Sequence, residues 1–220
     1  MKTVLFGGSG MIGQGVLLEL LKRPEVTQVV SVGRSPLPQK HEKLKDLVLK
    51  DLHDYSQVGA EFDDVDAVFF CLGVSSGGMS EADYQRVTYE LTLAAARALH
   101  ARSPGLTFCF ISGAGTDATE QGKTMWARVK GATENALQKV GFKAVYCFRP
   151  GYIQPMDGIS SKTPSYRWMY RFVSWLYPLF KGQTKYVTST RQLGFAMVEV
   201  AKKGYPKSIL ESADLNAVKA

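Results

Sequence analysis

Residues 3–15 read Thr-Val-Leu-Phe-Gly-Gly-Ser-Gly-Met-Ile-Gly-Gln-Gly. The first four predict a short, mostly apolar strand, the glycines predict a tight turn, and the residues from Met11 to Arg23 predict a helix. A strand, glycine turn and helix in this order bind a pyrophosphate, because glycine lets the backbone approach the anion. The helix N-terminus adds N–H groups and a positive dipole end. The stretch therefore predicts a dinucleotide site.

The glycines of this stretch fit a pyrophosphate-binding turn in two ways. One alignment is Gly7-x-x-Gly10-x-x-Gly13, and the other is Gly8-x-Gly10-x-x-Gly13. In either alignment one glycine makes the turn, one lets the backbone approach the pyrophosphate, and Gly13 lets the helix pack closely on the strand. The residues predicted to bind the cofactor here are Gly7, Gly8, Ser9, Gly10, Met11, Ile12 and Gly13.

Strands and helices alternate along the rest of the chain. The apolar patterns predict strands at 26–32, 44–49, 67–72, 106–111 and 143–148, with helices at 81–101 and 124–140. This alternation predicts an α/β fold, a doubly wound, Rossmann-like parallel sheet with helices on both faces. With 220 residues, we expect one domain, with a core of about 1–155 and a C-terminal helical lid or substrate segment of about 156–220.

The carboxyl ends of parallel strands meet at one rim of the sheet, and ligands of this fold bind there. The residues that follow the predicted strands and so gather at this rim are Gly7, Arg34, Asp51, Gly73, Ser112 and Gly151.

Arg34 occupies the position that selects between the two nicotinamide dinucleotides. In NAD-binding proteins of this fold an acidic residue about 20 positions beyond the glycines binds the ribose 2′-hydroxyl. Here Arg34 lies 21 positions beyond Gly13 and is followed by Ser35. A guanidinium binds a 2′-phosphate, whereas a carboxylate repels it. The sequence therefore favours NADP(H) over NAD(H); the alternative is that Arg34 is an ordinary solvated residue.

These motifs resemble the short-chain dehydrogenase/reductase superfamily, specifically its extended and atypical, epimerase/dehydratase-like branches. The resemblance covers about residues 1–155. It implies that Ser112 orients the substrate and that Lys130 holds the nicotinamide ribose. It also implies three further cofactor contacts: Asp51 and Leu52 beside the adenine, the loop Cys71-Leu72-Gly73 behind the cofactor, and Arg149-Pro150-Gly151 along the nicotinamide and substrate.

The chain departs from this family at its acid–base pair, which is Tyr-x-x-x-Lys. Here the segment reads Trp126-Ala-Arg-Val-Lys130, so tryptophan stands in the position of the tyrosine. An indole N–H donates hydrogen bonds but has no accessible pKa for proton transfer. The resemblance therefore supports cofactor binding more strongly than the family's chemistry.

Three interpretations of Trp126 remain open. In the first, the protein is a reductase or epimerase-like enzyme whose proton comes from solvent, Lys130 or Tyr152. In the second, it is a non-catalytic dinucleotide sensor or scaffold, with Trp126 against the nicotinamide or in a substrate pocket that includes Tyr152 and Ile153. In the third, Trp126 faces the core or the partner subunit of a homodimer, and the site lies elsewhere.

Two other chemistries are disfavoured by the sequence. Gly73-Val-Ser-Ser-Gly77 matches the nucleophile motif of hydrolases, but no helix starts directly after the serine and no histidine follows His100. Neither His41 nor His53 is spaced as a metal-ligand pair with another histidine, and no pair of neighbouring cysteines exists, so we expect no metal site.

The net charge of +7 comes from one region. No acidic residue lies between Asp157 and Glu199, and a predicted helix at 164–177 carries basic and aromatic side chains on separate faces. This helix covers the cleft or touches a membrane surface through 163–181. Because no nucleic-acid-binding motif accompanies the charge, we expect a dinucleotide and a small-molecule substrate as partners, and no nucleic acid.

The cysteines and the N-terminus predict a cytoplasmic protein. Cys71, Cys109 and Cys147 each lie in an apolar, strand-like segment, which is typical of reduced core thiols. The first strand begins directly at the N-terminus, so no targeting segment is expected before it.

Overall fold

The computed structural model describes residues 1–159 and 184–219. Nine strands lie in these two ranges. They are β1 (Lys2–Phe6), β2 (Gln28–Gly33), β3 (Leu44–Val48), β4 (Ala67–Phe70), β5 (Thr107–Ile111), β6 (Ala144–Arg149), β7 (Tyr152–Gln154), β8 (Val187–Ser189) and β9 (Ile209–Glu211). Seven of them form a parallel sheet in the order β3-β2-β1-β4-β5-β6-β9, and β7 pairs with β8 in a separate parallel pair.

The helices cover both faces of the seven-stranded sheet. They are α1 (Met11–Lys22), α2 (Glu81–Gln85), α3 (Leu91–Arg102), α4 (Met125–Gln138), α5 (Thr190–Lys203) and α6 (Ser212–Ala217), with one 3-10 turn at Ala60–Phe62. One buried cluster joins the sheet to α3 and α4, and a second joins its other face to α1, α5 and α6. The doubly wound, Rossmann-like fold predicted from the alternation is confirmed.

The strand order places a topological switch at the centre of the sheet. From β1 the chain builds outward through β2 to β3, and then crosses to β4 on the other side of β1. The connections that follow β1 and β4 therefore run in opposite directions. This divergence opens a crevice beyond the carboxyl ends of the two strands.

The long helix predicted at 81–101 begins as expected but is not regular. Ser80 caps it, since its hydroxyl oxygen accepts a hydrogen bond from the backbone N–H of Asp83 at 3.1 Å. A π-helical turn at Arg86–Glu90 separates α2 from α3. Such a turn inserts one residue into the hydrogen-bond ladder, and the helical period of the sequence does not reveal it.

The C-terminal part of the chain extends the core beyond the predicted boundary near residue 155. Helix α5 packs on the sheet, and β9 adds the seventh strand beside β6. The helix predicted at 164–177 and the membrane-contact segment at 163–181 lie outside the described residues. Within those residues, no helix has the length and apolarity needed to cross a membrane.

Helices α1 and α5 cross at two glycines. A Cβ atom on Gly15 would lie 2.6 Å from the carbonyl oxygen of Thr190, and one on Gly194 would lie 2.7 Å from the carbonyl oxygen of Gly15. Real Cβ atoms do not approach backbone atoms so closely. The two backbones therefore touch without intervening side chains, and this contact fixes α1 against α5.

We expect Gly15→Ala and Gly194→Ala each to lower the free energy of unfolding by about 1–3 kcal/mol, because a methyl group must separate the helices. Urea denaturation measures this change. Gly105→Ala is the matched control, since a Cβ there meets nothing within 4 Å. A Gly15→Ala variant as stable as Gly105→Ala would contradict the close crossing.

Candidate functional site

The glycine turn after β1 is held against the end of β4. Gly7 has a φ of +76°, and a Cβ atom there would lie 2.8 Å from the carbonyl carbon and oxygen of Cys71. A Cβ on Gly13 would collide with the carbonyl oxygen of Gly7. A Cβ on Gly8 would meet only side chains, at 3.1 Å or more. The backbone therefore requires glycine at positions 7 and 13, which favours the alignment Gly7-x-x-Gly10-x-x-Gly13.

The N-terminus of α1 faces this turn without a local cap. Gly10 is the N-cap residue and offers no side chain, and the first turn holds no acidic residue. The first backbone N–H with an acceptor in the helix is that of Gln14, which donates to the carbonyl oxygen of Gly10 at 2.9 Å. The preceding N–H groups, of Met11, Ile12 and Gly13, have no intrahelical acceptor. A pyrophosphate fits this end of α1, because it supplies both the acceptors and the negative charge.

Two uncompensated cations lie at neighbouring strand ends beside the turn. Arg34 follows β2 and Lys50 follows β3; both are exposed, and neither forms an ion pair with any described residue. The two strand ends are in register, since Gly33 pairs with Val48 and accepts a hydrogen bond from the N–H of Leu49 at 3.0 Å. Arg34 is among the cofactor residues predicted from the sequence and Lys50 is not, although Lys50 too is a cation shortly after a predicted strand.

The segment expected beside the adenine turns sharply into the core. Asp51 accepts a hydrogen bond from the N–H of His53 at 2.9 Å, and Leu52 is buried. Tyr55, which sequence reasoning missed, packs on Phe6 with its hydroxyl buried and without a partner among the described residues. Burial, together with the charge of Asp51, raises the pKa of this phenol.

The loop after β4 leaves space for a ligand. The backbone of Cys71 and Leu72 touches Gly7, whereas a Cβ atom on Gly73 would meet nothing within 4 Å. The loop is therefore in contact with the glycine turn at Cys71 and leaves free space beside Gly73.

Ser112 and Lys130 come together at the end of β5. The Lys130 amine donates to the carbonyl oxygens of Ile111 and Ser112, at 3.2 Å each. The Ser112 hydroxyl lies 2.9 Å from the hydroxyl of Thr116, which donates to the carbonyl oxygen of Gly113 at 2.8 Å. Both hydroxyl-bearing residues are buried.

Burial lowers the pKa of the Lys130 amine to about 8, against the opposing effect of Glu134 one helical turn further along α4. Glu134 itself is buried and bound by Arg149, through Nε at 3.0 Å and Nη2 at 2.5 Å. These two bonds occupy both carboxylate oxygens of Glu134. The carboxylate therefore acts on Lys130 at a distance, without a direct hydrogen bond.

Arg149 directs its side chain into this ion pair, with Glu211 a further 3.7 Å contact. The rest of the loop is bonded through its backbone. Pro150 accepts a hydrogen bond from the N–H of Ala114 at 3.0 Å, and Gly151 donates to the hydroxyl of Ser212 at 2.8 Å. What this loop offers a ligand is thus its backbone surface.

The ring of Trp126 lies over the loop that follows Ser112. Cβ atoms on Gly113 and Gly115 would lie 3.9 and 3.7 Å from it, and its N–H donates to no described residue. Tyr152 donates its hydroxyl hydrogen to Gln154 at 2.9 Å, and Ile153 is buried. Across residues 1–159 and 184–219, no group of histidine, cysteine and carboxylate side chains could hold a metal ion.

Several solved structures share this fold at low sequence identity. The reductase domain of PhqB from Penicillium fellutanum is 14% identical with a TM-score of 0.69, and the match covers 96% of this chain and 66% of that one. WbmF from Bordetella bronchiseptica, solved with NAD+, is 15% identical with a TM-score of 0.68, over 98% and 76% of the two chains. A short-chain dehydrogenase from Burkholderia cenocepacia, solved with NADP, is 13% identical with a TM-score of 0.66, over 96% and 89%.

Curated relatives contradict the expected cytoplasmic location. The protein fmp52 of Emericella nidulans is 28% identical over 161 residues, and fmp52-1 of Aspergillus terreus is 26% identical over 160; both are named as mitochondrial proteins. The matches cover 69% of this chain and 66% of each relative. The prediction of a cytoplasmic location is therefore wrong. Its physical basis was weak, since the free thiols of Cys109 and Cys147 are fully buried and report the packing of the sheet, not a compartment.

A family model described as NAD(P)H-binding matches residues 7–154, about two thirds of the chain. The match begins at the glycine turn and ends in β7, so it spans the switch between β1 and β4 and the Ser112–Lys130 contact. The chain therefore belongs to the NAD(P)H-binding family.

Proposed function

We propose that this protein binds NADP(H) and catalyses the interconversion of a small carbonyl compound and its alcohol, with Lys130 as the proton-transfer group. One observation carries the proposal: a partly buried lysine with a pKa near 8 lies at the carboxyl end of β5 and hydrogen-bonds to the backbone of Ser112. A conjugated small molecule is a substrate of the same class, and epimerase-like chemistry uses the same groups.

The dinucleotide would be held by the glycine turn and the N-terminus of α1, with Arg34 and Lys50 at the 2′-phosphate. When bound, it supplies or accepts the hydride. Two cations without ion-pair partners favour NADP(H), because each can form charge-assisted bonds to a phosphate that NAD(H) lacks. Asp51 and Leu52 would lie beside the adenine, and the backbone of Pro150 and Gly151 beside the nicotinamide.

Lys130 can replace the missing tyrosine because it has a proton to give at neutral pH. In the reductive direction the carbonyl carbon gains the hydride and its oxygen takes the proton from the Lys130 ammonium group. The lysine is then neutral and is reprotonated by water. With a pKa near 8, both forms of the amine are populated at the pH of a cell, as general acid–base catalysis requires.

The second candidate function is a non-catalytic dinucleotide sensor. The position of Trp126 favours it, since an indole ring lies over Gly113 and Gly115 and the sequence resemblance implies that this residue stands in the position of the family's tyrosine. A sensor would use the same cofactor site but no proton transfer.

Arg34→Ala should weaken NADPH binding by about 10- to 100-fold and leave NADH binding within about twofold, because only NADPH carries the 2′-phosphate. Lys50→Ala should have a smaller effect in the same direction. Calorimetry or nucleotide fluorescence measures both dissociation constants. Arg97→Ala is the matched control, since Arg97 is an exposed cation on α3. Tighter binding of NADH than NADPH by the unaltered protein would contradict the cofactor assignment.

Turnover distinguishes the enzyme from the sensor. Lys130→Arg keeps a positive charge but removes the accessible pKa, so NADPH oxidation with a panel of carbonyl compounds should fall at least about 100-fold while NADPH still binds. The reduction rate of the unaltered protein should also fall above pH 8 as the ammonium group is lost. NADPH binding without turnover by either protein across the panel would support the sensor and overturn the enzyme.

The titration of Lys130 can be measured without any ligand. The folded protein releases this proton near pH 8, whereas an unfolded lysine holds it to about pH 10.4. The unfolded state therefore binds more protons between these values, so Lys130 makes stability rise with pH in this window. The unaltered protein should gain stability relative to Lys130→Met from pH 8 to 10, and 13C NMR of the lysine Cε should show the titration near pH 8. A constant difference in stability would show that the amine is not desolvated.

A further inference from the structure

Two buried hydroxyl groups beyond the end of β5 are linked by a hydrogen bond, and the second of them also bonds to a backbone carbonyl oxygen. Ser112 Oγ and Thr116 Oγ1 lie 2.9 Å apart, and Thr116 Oγ1 donates to the carbonyl oxygen of Gly113 at 2.8 Å. Ser112 and Thr116 are 6% and 7% exposed, so neither hydroxyl exchanges these partners freely for water.

The number of available hydrogens fixes which hydroxyl group donates in each of these hydrogen bonds. A threonine hydroxyl has one hydrogen, and the Gly113 carbonyl can only accept. The hydrogen of Thr116 therefore points to Gly113, and the hydrogen between the two hydroxyls must belong to Ser112. What Ser112 retains for a ligand is its lone pairs.

The backbone prevents Thr116 from turning away. Its N–H donates to the same Gly113 carbonyl at 3.1 Å, closing a turn in which Gly115 has a φ of +85°. The next residue, Asp117, donates its N–H to the carbonyl oxygen of Ala127 in α4 at 3.1 Å. A β-branched side chain on a turn held at both ends has few rotamers. The fold therefore fixes the orientation of the Thr116 hydroxyl.

We propose that Thr116 is a positioning residue that presents Ser112 to the substrate cleft as a hydrogen-bond acceptor. The ligand group that meets Ser112 then carries an O–H or N–H donor, as an alcohol or an amide does, and is not a bare carbonyl oxygen. This inference rests on the proposed function only in placing Ser112 at the substrate. It deepens that function, because it names the kind of substrate group, a hydrogen-bond donor, that Ser112 binds.

Neutron diffraction of the deuterated, NADP+-bound protein tests the orientation directly. We expect a deuterium on Ser112 Oγ that points to Thr116 and one on Thr116 Oγ1 that points to Gly113. A deuterium on Thr116 that points to Ser112 overturns the proposal, whether or not a substrate is known.

Matched pairs of an alcohol and a ketone test whether Ser112 prefers a hydrogen-bond donor to a carbonyl oxygen. The first pair of probes is 1-phenylethanol with the NADPH-bound protein and acetophenone with the NADP+-bound protein. The second pair is cyclohexanol and cyclohexanone, each with the same cofactor form as its counterpart. None of these combinations can react. The ratio of ketone to alcohol dissociation constants is compared between the unaltered protein and two variants. Thr116→Val removes the acceptor with little change of shape, and Thr116→Ser keeps it.

Thr116→Val should lower this ratio by roughly fivefold to tenfold, because the Ser112 hydrogen becomes free to donate to the ketone oxygen. Thr116→Ser should leave the ratio unchanged, which a merely structural role of Thr116 would not require. An unchanged ratio in Thr116→Val, with NADPH bound normally, overturns the inference but not the proposed function. If NADPH binds and no alcohol or ketone does, the substrate class fails, and the neutron map alone then decides the orientation of Ser112.

Discussion

The contact between the backbones of Gly7 and Cys71 is the constraint on which the site depends. It lies at the switch between β1 and β4, where the chain after each strand leaves in opposite directions. Because no side chain fits between these two segments, position 7 must be glycine. The N-cap residue of α1 is a second glycine, Gly10, which brings no side chain to the first N–H groups of the helix. The contact between Gly7 and Cys71 thus holds an uncapped helix end at the switch point.

An uncapped helix must be stabilised elsewhere, and α1 is held along its length and at its far end. A missing N-cap costs about 1 kcal/mol. Burial of Val16, Leu17 and Leu20 and the close crossing with α5 exceed that cost, since each buried aliphatic side chain contributes about 1.5–3 kcal/mol. Arg23, just after the helix, bonds to Glu19 at 3.0 Å and pairs with Glu199 of α5. Packing therefore replaces capping, and the open N-terminus can be kept for a ligand.

Local patterns were enough to predict the fold, because glycine turns and apolar periods depend on near neighbours. The glycine turn and the alternation of strands and helices follow from such patterns. The missed features depend on contacts between distant segments. The Arg149 guanidinium meets Glu134, and the hydroxyl of Ser112 meets Thr116 through a turn whose shape no pattern specifies. Strands as short as β7 and β8 carry too few residues to show a period.

The electrostatics of α4 bear on the proposed role of Lys130 as the proton-transfer group. Positions 126 and 130 are four residues apart and so share a helix face, which places both beside the end of β5. If Glu134 were free, it would pair with Lys130 and hold the ammonium charge. Because Arg149 occupies both oxygens of Glu134, that carboxylate acts on Lys130 only through space, and its effect does not offset the desolvation that lowers the pKa of the amine. In the proposed reaction, the Glu134–Arg149 pair, which ties α4 to β6, would thereby also leave the Lys130 proton available for transfer.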